Sequence, residues 1–274
     1  MALKVFRNLM SLLTSIPMKT DASFVDVSAR FMFLFPVIGA VIGLLAGSYW
    51  YISNSLLNSL FSVFNRFFVL RISFLSKELA TKGLASLMTL SFIQVLTGLQ
   101  HTDGLIDTGN ALGVRKSVED RRKIAHAWVV TRLGALVALI VMFFTFLFMF
   151  FLDQSHIIQR LLVSEVSAKM GMVTCAWLGR PASSGLGAIF VKSMRHKHGL
   201  YVISLMISYA VSLFMLGLMG FLAVSVGIIV GLLMIGLSNK VFGWMTGDIF
   251  GATNEVARVA TLVSLVVQQW ASLL

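Results

Sequence analysis

Long apolar runs alternate along this chain with short polar stretches, and their lengths decide what they form. A helix that crosses a bilayer needs roughly 20 mainly apolar residues. Runs of that kind fall near 31–52, 84–99, 133–152, 157–178, 199–217, 220–237 and 259–274. The first, FMFLFPVIGAVIGLLAGSYWYI, carries Gly39, Gly43 and Gly47 at every fourth position, a small-residue face suited to close helix packing. No charge occurs from Gly199 to Leu237, which is room for two spans with a tight turn at GLMG, 217–220. Residues 53–82 are ambiguous, because Arg66, Arg71, Lys77, Glu78 and Lys82 interrupt their apolar runs. They read as an interfacial or short amphipathic segment rather than a span. The expected architecture is all-α: a polytopic transmembrane helix bundle of about seven spans, forming a single integral-membrane domain over 1–274.

Three polar stretches separate these runs, at 100–132, 179–198 and 238–258. Lys4, Arg7, Lys19 and Arg30 precede the first span, which places that end in the cytoplasm by the positive-inside rule. With seven spans, all three polar stretches return to the same side, and the opposite turns, DQSH and GLMG, carry no Lys or Arg. An eighth crossing through 53–82 would put the basic loops outside. The opening segment has no small-x-small cleavage site and does not read as a cleaved signal peptide.

Composition supports the membrane assignment: charged residues make up 12% of the chain, against roughly 25% in soluble domains. The formal charge of +11 is scattered over short loops, so it suits anionic headgroups or phosphate-bearing substrates rather than nucleic acid. Cys175 is the only cysteine, which excludes an intramolecular disulfide, and its apolar neighbours predict a buried, inert thiol.

Scarce acids gather in LTGLQHTDGLIDTGNAL. On a helix, Asp103 and Asp107 lie four apart on one face. Two such carboxylates make a hard-oxygen site suited to Mg²⁺, which is commonly held by one or two carboxylates plus substrate phosphates. Asn110 can add a neutral oxygen, and Gly104 leaves room for a substrate against the backbone. The plain structural alternative is a helix end whose aspartates cap and solvate. In TGDIFGATNE, Asp248 and Glu255 stand two helical turns apart, while Thr246 and Gly247 suit a turn capping a following helix. Arg132, Arg180 and Lys192 are candidate phosphate ligands, though positive-inside loop charge explains most of the basic residues. His196 and His198 sit among cations that would repel a metal. His126 reads as structural, and SSGLGAIF lacks nucleotide-fingerprint spacing.

HTDGLIDTGNALG resembles the H-x-D-G-L-x-D-T signature of the cobalamin synthase family of adenosylcobinamide-GDP ribazoletransferases. LLTSIP, FPVIGAVIG, TRLG, GLGAIF and TGDIFGATNE follow in family order, so the resemblance spans essentially the whole chain. It implies a membrane enzyme that joins adenosylcobinamide-GDP to α-ribazole or its 5′-phosphate, releases GMP and uses Mg²⁺. The lipid bilayer and other cobalamin-assembly enzymes are its implied surroundings. By that likeness Asp103, Asp107 and Asp248 are acids of the metal or phosphate site, with Asn110 and Glu255 as further metal groups. His101 becomes a general base or orienting group, and Arg132 a phosphate clamp. The chain departs from the family pattern at Asn110, Val130 and Arg258, where acids are common, and at Lys169, where arginine is. Two rivals are a CDP-alcohol-type phosphotransferase, whose DGxxAR and GxxxDxxxD elements are missing here, and a small-solute transporter using Arg160, Glu165 and Lys169 within a span.

Overall fold

A computed structural model describes residues 2–20, 23–68, 74–115, 117–125, 127 and 129–272. Lys116, His126, part of the ambiguous segment (69–73) and the last two positions of the final run lie outside the described residues. In chain order the α-helices are α1 (Ala2–Leu13), α2 (Phe24–Arg30), α3 (Phe35–Phe68), α4 (Phe74–Leu96), α5 (Gln100–Leu112) and α6 (Val118–Ala125). They continue with α7 (Arg132–Phe151), α8 (Ile157–Leu178), α9 (Leu186–Met194), α10 (His198–Leu216), α11 (Leu218–Val241) and α12 (Gly247–Ala271). Among the described residues there is no strand, only an isolated bridge between Pro181 and Met245. Seven helices among the described residues are long and apolar enough to cross a membrane.

The ambiguous segment resolves into helix on both sides of 69–73. α3 runs past Ile52 to Phe68, and α4 begins at Phe74, so the expected interfacial piece instead lengthens two spans. Polar side chains in 53–62 hide the helix from hydropathy, yet they bond its own turns: Asn58 Nδ2 donates to Asn54 O (2.9 Å) and Ser62 Oγ to Asn58 O (2.8 Å). Lys77 Nζ then donates to Ser62 Oγ at 2.7 Å, tying α4 to α3. The last span also starts earlier than its apolar run, because α12 begins at Gly247 and carries TGDIFGATNE in its first turns.

α8 is the axis of the bundle: 89% of its most apolar window is buried, against 22% for α7 and α10. The glycine face of α3 seats against it. A Cβ on Gly39 would lie 2.5 Å from Glu165 O, one on Gly47 2.6 Å from Ile158 Cα, and one on Gly43 would overlap Leu162. Small residues let these backbones touch, which is how helices gain packing energy in lipid.

The charges in α8 face the bundle interior. Arg258 of α12 bonds the carboxylates of both Glu165 and Glu255, and Lys169 Nζ lies 3.6 Å from Glu165 Oε2. All four side chains are almost fully buried. Two acids and two bases cancel, so the cluster survives where a single charge would cost several kcal/mol. Arg160 pairs with Asp153 and Gln269 at the far end of the bundle.

Candidate active site at one end of the bundle

The chain breaks sharply after α4. Gly98 and Leu99 both take left-handed backbone angles (φ 64° and 60°), and Leu99 N–H returns to Gln94 O at 2.9 Å. For leucine this conformation costs roughly 1–2 kcal/mol. It turns the chain so that α5 lies across the end of the bundle against α12.

Two glycines set that crossing. A Cβ on Gly104 would lie 2.7 Å from Asp248 O, and one on Gly251 would lie 3.1 Å from His101 Cα. The close approach brings His101 and Asp103 of α5 beside Asp248 of α12. All three line one cavity of about 430 Å³, with Gly104 and Gly247. Gln100, Leu186 and Gly247, the first residues of α5, α9 and α12, line it too, so three helix N-termini meet there. Their leading N–H groups and positive dipole ends favour an anion. Thr246 caps α12, its hydroxyl accepting from Ile249 N at 3.3 Å. Apart from Ser11, the rest of the wall is apolar and includes Phe24, Met32, Phe35, Met172, Phe190 and Phe250.

His101 is buried and held by a chain of hydrogen bonds that starts in the charged cluster. Lys169 Nζ donates to Asn254 Oδ1 at 2.5 Å, and Asn254 Nδ2 lies 3.3 Å from His101 Nδ1. An ammonium can only donate, so Asn254 must turn its oxygen to Lys169 and its N–H groups to His101 and Glu255. His101 Nδ1 is therefore the acceptor and Nε2 carries the proton. Burial first, then the charges of Lys169 and Arg258, lowers the imidazole pKa well below its ordinary 6.5, so the ring is neutral.

The other expected site residues stand at graded distances from this cavity. Asp107 follows Asp103 by one turn of α5, partly buried, and receives Asn110 Nδ2 at 3.3 Å. Asn110 is engaged at every polar atom: its oxygen accepts from Thr131 N (2.9 Å) and Oγ1 (2.8 Å), and Nδ2 also donates to Val129 O (2.7 Å). It clamps α5 to the start of α7. Glu255 is buried behind the cavity, bonded to Arg258 and reached by Gln94 Nε2 at 3.4 Å. Arg132 is exposed at the start of α7. Arg180 is exposed and accepts from Met245 N through its backbone carbonyl, and Lys192 Nζ donates to Ser183 O at 3.3 Å. None of these six residues is in the cavity wall.

Sequence reasoning missed Asn254 as the partner of His101, and Lys169 and Arg258 as the charges behind it. A signal was present: with Thr246 as the cap of a helix, Gly247, Gly251, Asn254 and Arg258 fall at helical spacing on one face.

The donor set fits a hard divalent ion. Asp103 and Asp248 share one wall, and among the described residues no group of three His, Cys, Asp or Glu side chains forms a complete cage. Mg²⁺ keeps waters and takes substrate phosphates as ligands, so two carboxylates suffice. Phosphate drawn to the helix N-termini would meet those carboxylates, and a divalent cation removes the repulsion.

Fold and cavity together define a polytopic membrane protein with an acid-edged cleft at one end of its bundle, where three helix N-termini meet. The chain belongs to the cobalamin-5-phosphate synthase family, whose model matches residues 5–72 and 67–266. It is similar to the adenosylcobinamide-GDP ribazoletransferase of Methanococcoides burtonii, 25% identical over 97% of this chain and 92% of the relative. That of Thermoanaerobacter pseudethanolicus is 27% identical over 94% of each chain. That of Methanocella arvoryzae is 30% identical over 65% of this chain and 72% of its own. No solved structure matches the chain.

Proposed function

We propose that this protein is an adenosylcobinamide-GDP ribazoletransferase. A hydroxyl of α-ribazole or of its 5′-phosphate attacks the phosphorus that stays with cobinamide. The bond to the GMP phosphate breaks, a phosphodiester forms, and the hydroxyl proton leaves to solvent or to the departing phosphate. The observation that carries this reading, in a chain of this family, is the meeting of three helix N-termini and two carboxylates on one cavity with an apolar wall.

Asp103 and Asp248 would hold Mg²⁺ at the cavity edge, with Asp107 the supporting acid one turn along α5. When bound, that ion supplies charge neutralisation on the transferring phosphoryl group and the leaving GMP. The N-termini of α5, α9 and α12 orient phosphate oxygens by backbone N–H groups. His101 serves as a neutral donor through Nε2–H, the orienting role rather than that of a base, because Asn254 occupies Nδ1. Arg132, Arg180 and Lys192, exposed outside the cavity, suit the larger donor substrate. The basic end of the bundle is cytoplasmic in this account, the side on which nucleotide substrates are found.

The test uses protein purified in detergent and returned to nanodiscs. With adenosylcobinamide-GDP, Mg²⁺ and either acceptor, GMP and a cobamide are expected in equal amounts, and the faster acceptor is the natural one. No GMP under any divalent metal with either acceptor would overturn the assignment. Of the membrane charges that suggested a transporter, Glu165 and Lys169 are paired within the buried cluster with Arg258 and Glu255, and Arg160 is paired with Asp153, which favours the enzyme.

A further inference from the structure

The cavity has two chemically different halves, and one substrate suits each. The polar half holds His101, Asp103, Asp248 and the helix N-termini. The other half is mainly rings, thioethers and aliphatic side chains, with Ser11 as its one polar side chain. Phe35 and Phe190 lie 5.7 Å apart between centroids, Phe190 and Phe250 6.3 Å, in tilted and edge-on arrangements. Phe24 of α2 and Met172 of α8 complete it.

We propose that this aromatic half seats the base of the ribazole acceptor, with its ribose hydroxyls directed to the polar half, and that Phe190, Phe250 and Phe24 set the acceptor's specificity. The proposal rests on the transferase reading. Three bulky groups compete for the space: the corrin ring, the guanine of the donor and the benzimidazole of the acceptor. A volume of about 430 Å³ lies near the small end of ligand pockets and admits a nucleoside, whereas a corrin with its side chains exceeds it. Guanine carries a ring amide and an exocyclic amine that need partners when buried. The phenylalanines and methionines offer none. A benzimidazole presents a benzo ring with no polar edge and has a single ring-nitrogen acceptor, against guanine's several polar groups, and edge-on phenyl contacts suit its flat face. Seating the base inward leaves the ribose at the acid edge, where an entering phosphorus would meet it, and leaves the corrinoid on the open side near the bilayer.

The experiment measures steady-state kinetics in nanodiscs for wild type, Phe190→Leu, Phe250→Leu and Phe24→Leu, varying each substrate in turn. Binding of the intrinsically fluorescent α-ribazole, without donor, is followed alongside. Leucine keeps the wall apolar while removing the ring, and Phe24, only partly buried, guards against loss of fold. The expected result is an acceptor KM and a ribazole Kd raised at least tenfold in Phe190→Leu and Phe250→Leu, and severalfold in Phe24→Leu. Donor KM and the inhibition constant of GMP should stay within twofold. The assignment is overturned if acceptor KM and ribazole binding stay unchanged in all three variants, or if GMP inhibition weakens instead, which gives the pocket to guanine. A wild type that binds ribazole through these rings but releases no GMP would sink the transferase reading and leave the base site standing.

Discussion

Asn254 decides what His101 can do. Its amide is oriented by Lys169, so His101 accepts at Nδ1 and carries its proton on Nε2, the donor that the proposed mechanism uses. Asn254→Asp would put an acceptor against Nδ1 and reverse the tautomer. Turnover should fall about 10²-fold, the scale of losing one preorganised donor, while substrate KM changes little. ¹⁵N NMR of labelled histidine would show the proton move from Nε2 to Nδ1; an unchanged tautomer with full activity would remove Asn254 from this role. The same ring gives a pH signature. His101 has a folded pKa below its unfolded 6.5, so only the unfolded chain takes up a proton as pH falls through that value. Its contribution to stability is present above about pH 6.5 and is lost below it. His101→Asn should flatten that part of the unfolding midpoint's pH dependence. Asp103 and Asp248 were legible as candidates from residue type, while spacing paired them with Asp107 and Glu255, which lie outside the cavity wall. Asn254, Lys169 and Arg258 were not, because a buried polar network is made of side chains that hydropathy assigns to loops.

At the scale of elements, the site depends on how closely α5 and α12 cross. Gly104→Val and Gly251→Val would each press a side chain into backbone, at Asp248 and His101 respectively. Both should lose most activity, with acceptor and donor binding weakened together, and Gly251→Ala should retain more than Gly251→Val. Full activity in both valine variants would mean that the crossing does not build the site. The glycine face of α3 could be read because a four-residue repeat has one meaning on a helix. The extents of α3 and α12 could not. Serines and asparagines in 53–62 bond their own helix, Asn254, Glu255 and Arg258 are satisfied inside the bundle, and Asp248 lines the cavity, so both stretches look like loops to any scale that counts polarity.

For the whole molecule, the buried cluster and the sidedness are the testable features. Removing one member of a buried ion pair leaves the other uncompensated, at about 3–5 kcal/mol. Arg258→Met should therefore lower the thermal midpoint in detergent sharply, while Arg258→Met with Glu255→Gln, which leaves the balanced Glu165–Lys169 pair, should recover part of it. Equal losses in the single and double variants would deny the coupling. Sidedness can be read because Cys175 is fully buried, which leaves the native chain a nearly silent background for thiol labelling. Cysteines at Ser193 and Glu119 should react only from the cytoplasmic face, and one at Ser155 only from the opposite face. Reaction of all three from one side would contradict the alternation. The number of spans followed from run lengths and loop charge, both whole-chain properties. The cavity did not, since it is assembled from segments far apart in sequence.

The most direct measurement of the central claim is GMP release from adenosylcobinamide-GDP with α-ribazole and Mg²⁺, by wild type, Asp103→Asn and Asp248→Asn, each shown to be folded by its unfolding midpoint. The expected result is stoichiometric GMP from wild type and a loss of at least about 10²-fold in each variant, the scale of removing a charge that stabilises the transferring phosphoryl group. Wild-type rates in both folded variants would contradict an active site built where α5 meets α12.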